Sequence, residues 1–282
     1  MSTDFLKSVI RASVPRSLRN WLRSPSKSAE WLWDASRFQL GVTETVNFPR
    51  NWALICHPHA YRVFCQAQIA DPDQRKEFEN FLLHCDEKMF LLDIGAHFGV
   101  FSLAAAHFGG RAVAVDPSPT ATRMIERECG LNGLTDSVRT IRAAVSDEAG
   151  VVDMISSGVF SDGYFRIMRG RAKSELTRAR AITIDELADE HGKPTHVKID
   201  MEGQEAAVLR GGRSTLSEVS PILFVELHNE MVAAEGGNPD HALDELSYLG
   251  YETFSLEGNP FPRDAILKHP IVRIVATRVS DG

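Results

Sequence analysis

The chain has 282 residues, enough for one large domain with an extension or for two small ones, and its 43% apolar and 24% charged content is that of a globular protein. A wholly disordered, collagenous or coiled-coil chain is excluded, no stretch approaches the roughly eighteen consecutive apolar residues of a spanning helix, and the N-terminus lacks the apolar core and small-residue cleavage site of a signal peptide. Charge is unevenly spread: Lys7, Arg11, Arg16, Arg19, Arg23 and Lys27 against Asp4 give residues 1–28 a net +5, which leaves −12 on the remainder of a chain whose total is −7.

An acidic body has little long-range attraction for nucleic-acid phosphate, so no nucleic-acid partner is expected. Cys56, Cys65, Cys85 and Cys129 lack disulfide-scaffold density and any Cys-x-x-Cys pair, and they read as reduced thiols of a cytoplasmic protein. In the basic segment Phe5, Leu6, Val9, Ile10, Val14, Leu18, Trp21 and Leu22 recur at three- and four-residue steps opposite the cations, with Pro15 as a break. Two readings stay open for it: packing on its own domain, or docking on a protein partner or an anionic membrane periphery. Residues 29–85 form an accessory region, mainly helical, with a helix over 71–85 opened by Asp71-Pro72. From residue 86 onward apolar runs alternate with amphipathic segments. Strands are expected at 89–94, 111–116, 138–145, 196–200, 222–228, 251–256 and 271–277, and helices at 100–108, 120–131, 184–191, 204–211 and 241–249, with Asp185 or a neighbour capping one start. That order indicates an α/β fold with a mostly parallel sheet covered on both faces. Residues 150–182 interrupt it with a strand at 151–155 and a polar excursion over 161–180, a candidate lid or substrate insertion.

In such a sheet ligands bind at the carboxyl ends of the strands. The first strand ends Asp93-Ile94-Gly95-Ala96-His97-Phe98-Gly99, a glycine turn opening a helix, and Gly95 and Gly99 are expected to let the backbone pass close to a ligand. The spacing is neither the dinucleotide Gly-x-Gly-x-x-Gly nor a phosphate-cradling loop. Asp93 would repel a pyrophosphate and suits a cationic or zwitterionic ligand. The second strand ends in Asp116, whose two oxygens match the two hydroxyls of a ribose. A glycine turn plus a ribose acid, without the pyrophosphate turn, points to S-adenosylmethionine. Further along, Asp200 ends a strand with Glu202 and Glu205 in the turn after it, and Glu226 and His228 lie two apart at the end of the next.

With these residues in place, the chain resembles the FkbM family of S-adenosylmethionine-dependent methyltransferases. The resemblance rests on Asp-Ile-Gly-Ala-x-x-Gly at 93–99, Val-Asp-Pro at 115–117, Thr-Ile-Asp-Glu-Leu at 183–187, Lys-Ile-Asp-Met-Glu-Gly-Gln-Glu at 198–205 and Glu-Leu-His at 226–228, and it covers roughly residues 85–278. It implies a Rossmann-like class I methyltransferase fold, with a seven-stranded sheet containing one reversed strand. It also implies O-methylation of a hydroxyl on a sugar, glycoconjugate or secondary metabolite. The implied cofactor residues are Asp93, Gly95, Ala96, His97, Gly99, Asp116, Pro117 and, on the strand over 138–145, Ala144. His97 stands where the family often has Asn; its ring either touches the cofactor or covers the turn.

Methyl transfer from a sulfonium is an in-line displacement, and a sugar hydroxyl is a poor nucleophile, so a base is expected. His228 supported by Glu226 or Asp200, with Glu202 nearby, has the right chemistry near neutral pH. Alternatively Asp200 with Glu226 or His228 holds a Mg²⁺-like ion that lowers the acceptor's pKa. The place where amine-methylating enzymes carry Asp/Asn-Pro-Pro-aromatic reads Asp200-Met201-Glu202-Gly203, which favours an oxygen acceptor. Cys56, His57, His59, Cys65, His84 and Cys85 match no standard zinc spacing and read as packing residues. A competing reading from another class is a catalytically silent protein that keeps the cofactor pocket for binding or serves as a docking subunit.

Overall fold

The structure, a computed structural model, describes residues 25–65, 71–156, 165–167 and 176–278. Most of the basic N-terminal segment and most of the polar excursion lie outside these residues. Among the described residues no helix is long and apolar enough to cross a membrane.

The accessory region runs α1 (Pro25–Gln39), β1 (Glu44–Phe48), β2 (Trp52–Cys56), α2 (Pro58–Cys65) and α3 (Pro72–His84). Asp71 caps α3 as its sequence suggests, accepting from the amides of Asp73 and Gln74. The β1–β2 hairpin is an addition to the helical region expected. It pairs Glu44 with Cys56 and Phe48 with Trp52, burying every second residue of β2. Its period-two signal is blurred because Ala53 and Ile55, on the outward face, are also apolar.

The main body continues β3 (Phe90–Ile94), α4 (Val100–His107), β4 (Arg111–Val115), α5 (Pro119–Asn132), β5 (Val138–Ile141), β6 (Ala144–Val145), β7 (Gly150–Ser156), β8 (Phe165–Ile167), β9 (Leu176–Ile182), α6 (Ile184–His191), β10 (His196–Asp200), α7 (Glu205–Arg210), α8 (Arg213–Val219), β11 (Ile222–Leu227), α9 (Asn229–Ala234), α10 (Asp240–Tyr248), β12 (Tyr251–Phe254), α11 (Arg263–Ile266) and β13 (Val272–Arg278). Seven strands form one sheet in the order β12-β13-β11-β10-β3-β4-β5, and β13 runs antiparallel to both of its neighbours. This is the expected methyltransferase sheet with its single reversed strand.

One expectation needs correcting. The single strand expected over 138–145 is two: β5 pairs with β4 as far as Ile141, and Ala144–Val145 then pair with Ala181–Ile182 in a separate four-stranded sheet of order β6-β9-β7-β8. The local composition, Val-Arg-Thr-Ile-Arg-Ala-Ala-Val, does not reveal that its two ends serve different sheets. The cap expected at Asp185 or a neighbour is present. Thr183 and Glu186 form the capping box of α6, whereas the Asp185 carboxylate accepts from the amides of Ser214 and Thr215 at the start of α8.

Helices cover both faces of the sheet. On one, Leu92, Ile94, Val113, Ile199 and Val225 pack against α6, α7, α8 and α10. On the other, Leu91, Ala114 and Phe224 meet α4 and α5 together with Phe48, Trp52, Leu54, Phe64, Phe78 and Phe81 of the accessory region, so that region builds no separate core. Phe81 sits edge-on to both Phe101 (4.9 Å) and Phe224 (5.3 Å) with no exposed surface. Truncating it to alanine should therefore cost about 3–5 kcal/mol in urea unfolding, and a cost below about 1 kcal/mol would detach the accessory region from the core.

Candidate active site

The β3–α4 turn is shaped by chain-on-chain contact. Gly95 (φ +76°) and Gly99 (φ +80°) occupy the left-handed region, and the amides of Gly95 and Ala96 both donate to Val115 O. A Cβ on Gly95 would lie 1.9 Å from Asp200 O, and one on Gly99 would lie 2.9 Å from Ile125 Cγ1. The glycines are thus required by close approach of β10 and α5; making room for a ligand is a secondary consequence. Asp93, buried, accepts from Ser102 N (3.1 Å) and Oγ (2.6 Å) and so ties the strand end to the first turn of α4.

Asp116 follows β4 and accepts from Ser118 N (2.7 Å) and His97 N (2.9 Å). Burial raises both acids against these hydrogen bonds, Asp93 to about 6 and Asp116 to about 7. His97 adopts φ +50° and its ring stacks on Phe98 at 4.3 Å. Asp93, Gly95, Ala96, His97, Gly99, Asp116 and Pro117 all line one cavity of about 220 Å³ at the carboxyl ends of the strands. Ala144 does not line it, because β6 has left the main sheet and its side chain packs beside Met154. The cavity's remaining wall comes from Lys198, Asp200, Met201, Glu202 and Glu226, and its roof from Val63, Phe64, Gln74, Glu77 and Phe78 of α2 and α3.

Sheet register sets the charged groups side by side: Asp200 pairs with Glu226, Glu226 with Arg273, and Lys198 with Asp93. Arg273 binds Glu226 through both nitrogen types, with Nη2–Oε1 at 2.8 Å and Nε–Oε2 at 3.1 Å, and its Nε is also 3.2 Å from Glu77 Oε2. Lys198 Nζ is 3.2 Å from the other oxygen of Glu77 and 3.8 Å from Asp200 Oδ2. Glu77, Lys198, Glu226 and Arg273 are all nearly shut off from solvent, whereas the Asp200 side chain keeps 34% of its surface exposed.

His228 stands behind this row. Its Nδ1 lies 2.8 Å from Glu205 Oε1, which also accepts from Gly203 N, and its Nε2 lies 3.7 Å from Glu226, 3.8 Å from Glu202 and 3.9 Å from Asp200. Burial alone would lower its pKa, but the Glu205 hydrogen bond and the surrounding carboxylates outweigh burial and raise it to about 9. The base expected at His228 is therefore a buried cation at neutral pH, outside the lining of the cavity.

Asp200, Glu226 and His228 offer ligand atoms within 4.8 Å of one another, as the metal alternative requires. Glu226 is engaged at two points by Arg273, so an ion held there would have to displace that pair. Cys56, Cys65, Cys85 and Cys129 are free thiols, and His57 and His84 pack on the rings of Phe38 and Phe224.

Sequence reasoning missed Glu77, Arg273 and the pairing of Glu205 with His228. A signal existed for Glu77, which shares a helix face with the buried Phe81 one turn later.

Two predictions follow from this geometry. Gly95→Ala should lower the melting temperature sharply, because its Cβ meets a backbone carbonyl that cannot move aside; an unchanged value would contradict the close approach to Asp200. Asp93, Asp116 and Glu128, the last pushed up to about 8 by burial, hold protons more tightly folded than unfolded. The stability this contributes is complete below the unfolded carboxyl pKa of about 4 and is lost as pH rises through 6 to 8. The urea midpoint of the ligand-free protein should fall over that window, and a rising profile would show these acids to be ionised at little cost.

The model of the methyltransferase FkbM domain matches residues 93–253, more than half of the chain. A ribosomal protein L11 methyltransferase from Pelobacter propionicus is 32% identical over 78 residues, 27% of this chain and 25% of that protein. The crystal structure of a methyltransferase FkbM from Methylobacillus flagellatus is similar over 77% of this chain and 53% of its own, at 16% identity and a TM-score of 0.47. An O-methyltransferase from Bacillus cereus in complex with SAH is similar over 78% and 89%, at 12% identity and a TM-score of 0.42. The chain thus spans about half of the first of these structures and a quarter of the L11 enzyme. On the strength of the domain match, the chain belongs to the FkbM methyltransferase family.

Proposed function

We propose that the protein takes a methyl group from S-adenosylmethionine and transfers it to a hydroxyl of a sugar, glycoconjugate or secondary metabolite. The observation that carries this reading is the cavity itself. A buried diol acceptor, Asp116, stands at the β4 end, and the partly exposed Asp200 carboxylate stands at the β10 end, under a roof supplied by α2 and α3.

The donor set fits the cofactor. Asp116 accepts the ribose hydroxyls, and the acids along β3 and β10 suit the charges of a sulfonium and an ammonium. When bound, S-adenosylmethionine supplies an electrophilic methyl on positively charged sulfur. Asp200 faces the cavity and takes the acceptor's proton. His228, as a cation among Glu202, Glu205, Glu226 and Asp200, holds that carboxylate in place without handling the proton itself. Phe64, Phe78 and Val63 close the roof and exclude water.

Titration calorimetry with S-adenosylmethionine and S-adenosylhomocysteine tests the first half. Asp116→Asn should weaken binding by about 1–3 kcal/mol through loss of a charged acceptor. Wild-type affinity should fall as pH drops below about 7, where Asp116 takes up its proton, and Asp116→Asn should show no such step. Failure to bind either compound would leave the silent docking-subunit reading. Transfer of labelled methyl to a panel of sugars and glycosylated metabolites, with the product position read by mass spectrometry, tests the second half.

A further inference from the structure

Among the described residues lining the cavity, Lys198 is the one lysine or arginine, set among Glu77, Asp93, Asp116, Asp200, Glu202 and Glu226. Its side chain is 3% exposed, and Nζ lies 5.2 Å over the Phe101 ring. Although Nζ is ion-paired with Glu77 at 3.2 Å, it makes no hydrogen bond. An ammonium carries three N–H donors, and leaving them unused in a buried position is costly. Pairing with Glu77 accounts for the charge of Lys198 but leaves buried N–H donors unspent in a residue that lines the cavity.

We propose that Lys198 Nζ and Asp200 Oδ2 together form the binding site for the acceptor's hydroxyl, Lys198 donating to the oxygen and Asp200 accepting its proton. A hydroxyl is at once a donor and an acceptor. The 3.8 Å between the two groups is a span that one oxygen bridges with two hydrogen bonds of ordinary length, about 2.7–2.9 Å. A carboxylate or phosphate in the same place would meet Glu77, Asp200 and the neighbouring Asp93 and Glu226 as like charges, so the site selects a neutral alcohol over an anionic group. The nearby acids also hold the Lys198 pKa well above its usual value against burial, which keeps it a donor and leaves the proton to Asp200. In the step, the oxygen lone pair forms the bond to the methyl carbon, the carbon–sulfur bond breaks with its electron pair staying on sulfur, and the hydroxyl proton passes to Asp200. This inference rests on the methyl-transfer reading above and adds the identity of the acceptor subsite and its charge class.

Crystals of the wild-type protein with S-adenosylhomocysteine, in which water is the simplest surrogate for a hydroxyl, should show an ordered water within hydrogen-bond distance of both Nζ and Oδ2. A complex in which Nζ reaches only Glu77, or contacts the cofactor's carboxylate, overturns the proposal. In solution Lys198→Met should lower kcat by about 10²-fold, the scale of a lost group that orients the hydroxyl and eases departure of its proton, and change cofactor Kd by less than about two-fold. Wild-type turnover in a folded Lys198→Met overturns it, as does a loss confined to cofactor affinity. If the single variant does not fold, the pair Glu77→Gln with Lys198→Met removes both charges together and should show the same kcat loss. Wild-type transfer to amines and to no hydroxyl would instead overturn the O-methylation reading beneath it, and that result is separable because no Lys198 variant enters the comparison.

Discussion

Two buried cations held between buried acids are the constraint around which the rest of this molecule is arranged. Lys198 on β10 and Arg273 on β13 share Glu77, one oxygen each, and Arg273 closes a two-point pair with Glu226 on β11. Taking such groups out of water costs several kcal/mol per ion, and that cost is offset only when every partner is in place. Glu77 belongs to α3, so the sheet's strand ends are electrostatically complete only with the accessory region docked. The aromatic contacts of Phe78 and Phe81 and the ion pairs of Glu77 therefore act on the same helix from adjacent turns. The region that closes the cavity is for that reason part of the fold's core and also part of its charge balance.

Backbone packing sets the second constraint. The β3–α4 turn must clear Asp200 O on one side and Ile125 on the other, which only glycine permits at 95 and 99. The same proximity places the β3 turn against the end of β10, so the residues beside Asp116 and those beside Asp200 border one space. The next turn is strained in a comparable way: Glu202 adopts φ +49° ahead of Gly203 at φ +92°, and Glu205 fastens it through Gly203 N and His228.

Most of the sheet is legible in the sequence because parallel strands buried on both faces are continuous apolar runs, and β3, β4, β10 and β11 begin and end within a residue or so of where those runs do. The segment over 138–145, broken by Arg139, Thr140 and Arg142, misleads because local composition does not say which sheet a short strand joins. Asp93 and Asp116 were readable as strand-end carboxylates after short apolar strands. The roles within the Asp200–His228 group were not. A histidine two residues from a glutamate suggests a base, and only the Glu205 hydrogen bond and the three further carboxylates around the ring show why its pKa is pushed up to about 9. Pairings such as Glu77 with Arg273 join residues almost two hundred positions apart, and no local pattern encodes them.

On the proposed reading, the same charges that draw a sulfonium into the cavity oppose its reaction. Methyl transfer erases the positive charge on sulfur, so a wall of acids stabilises the starting complex more than the transition state and would slow the step. The cations behind and within that wall counter the effect. Arg273 neutralises Glu226, His228 spreads its charge over the carboxylates at the end of β10, and Lys198 lowers the pKa of the acceptor hydroxyl whose proton Asp200 takes. A wall of acids interrupted by Lys198 thus binds a cation while keeping one positive charge beside the acceptor oxygen. This is the arrangement that the register pairs Asp93–Lys198 and Glu226–Arg273 build into the sheet.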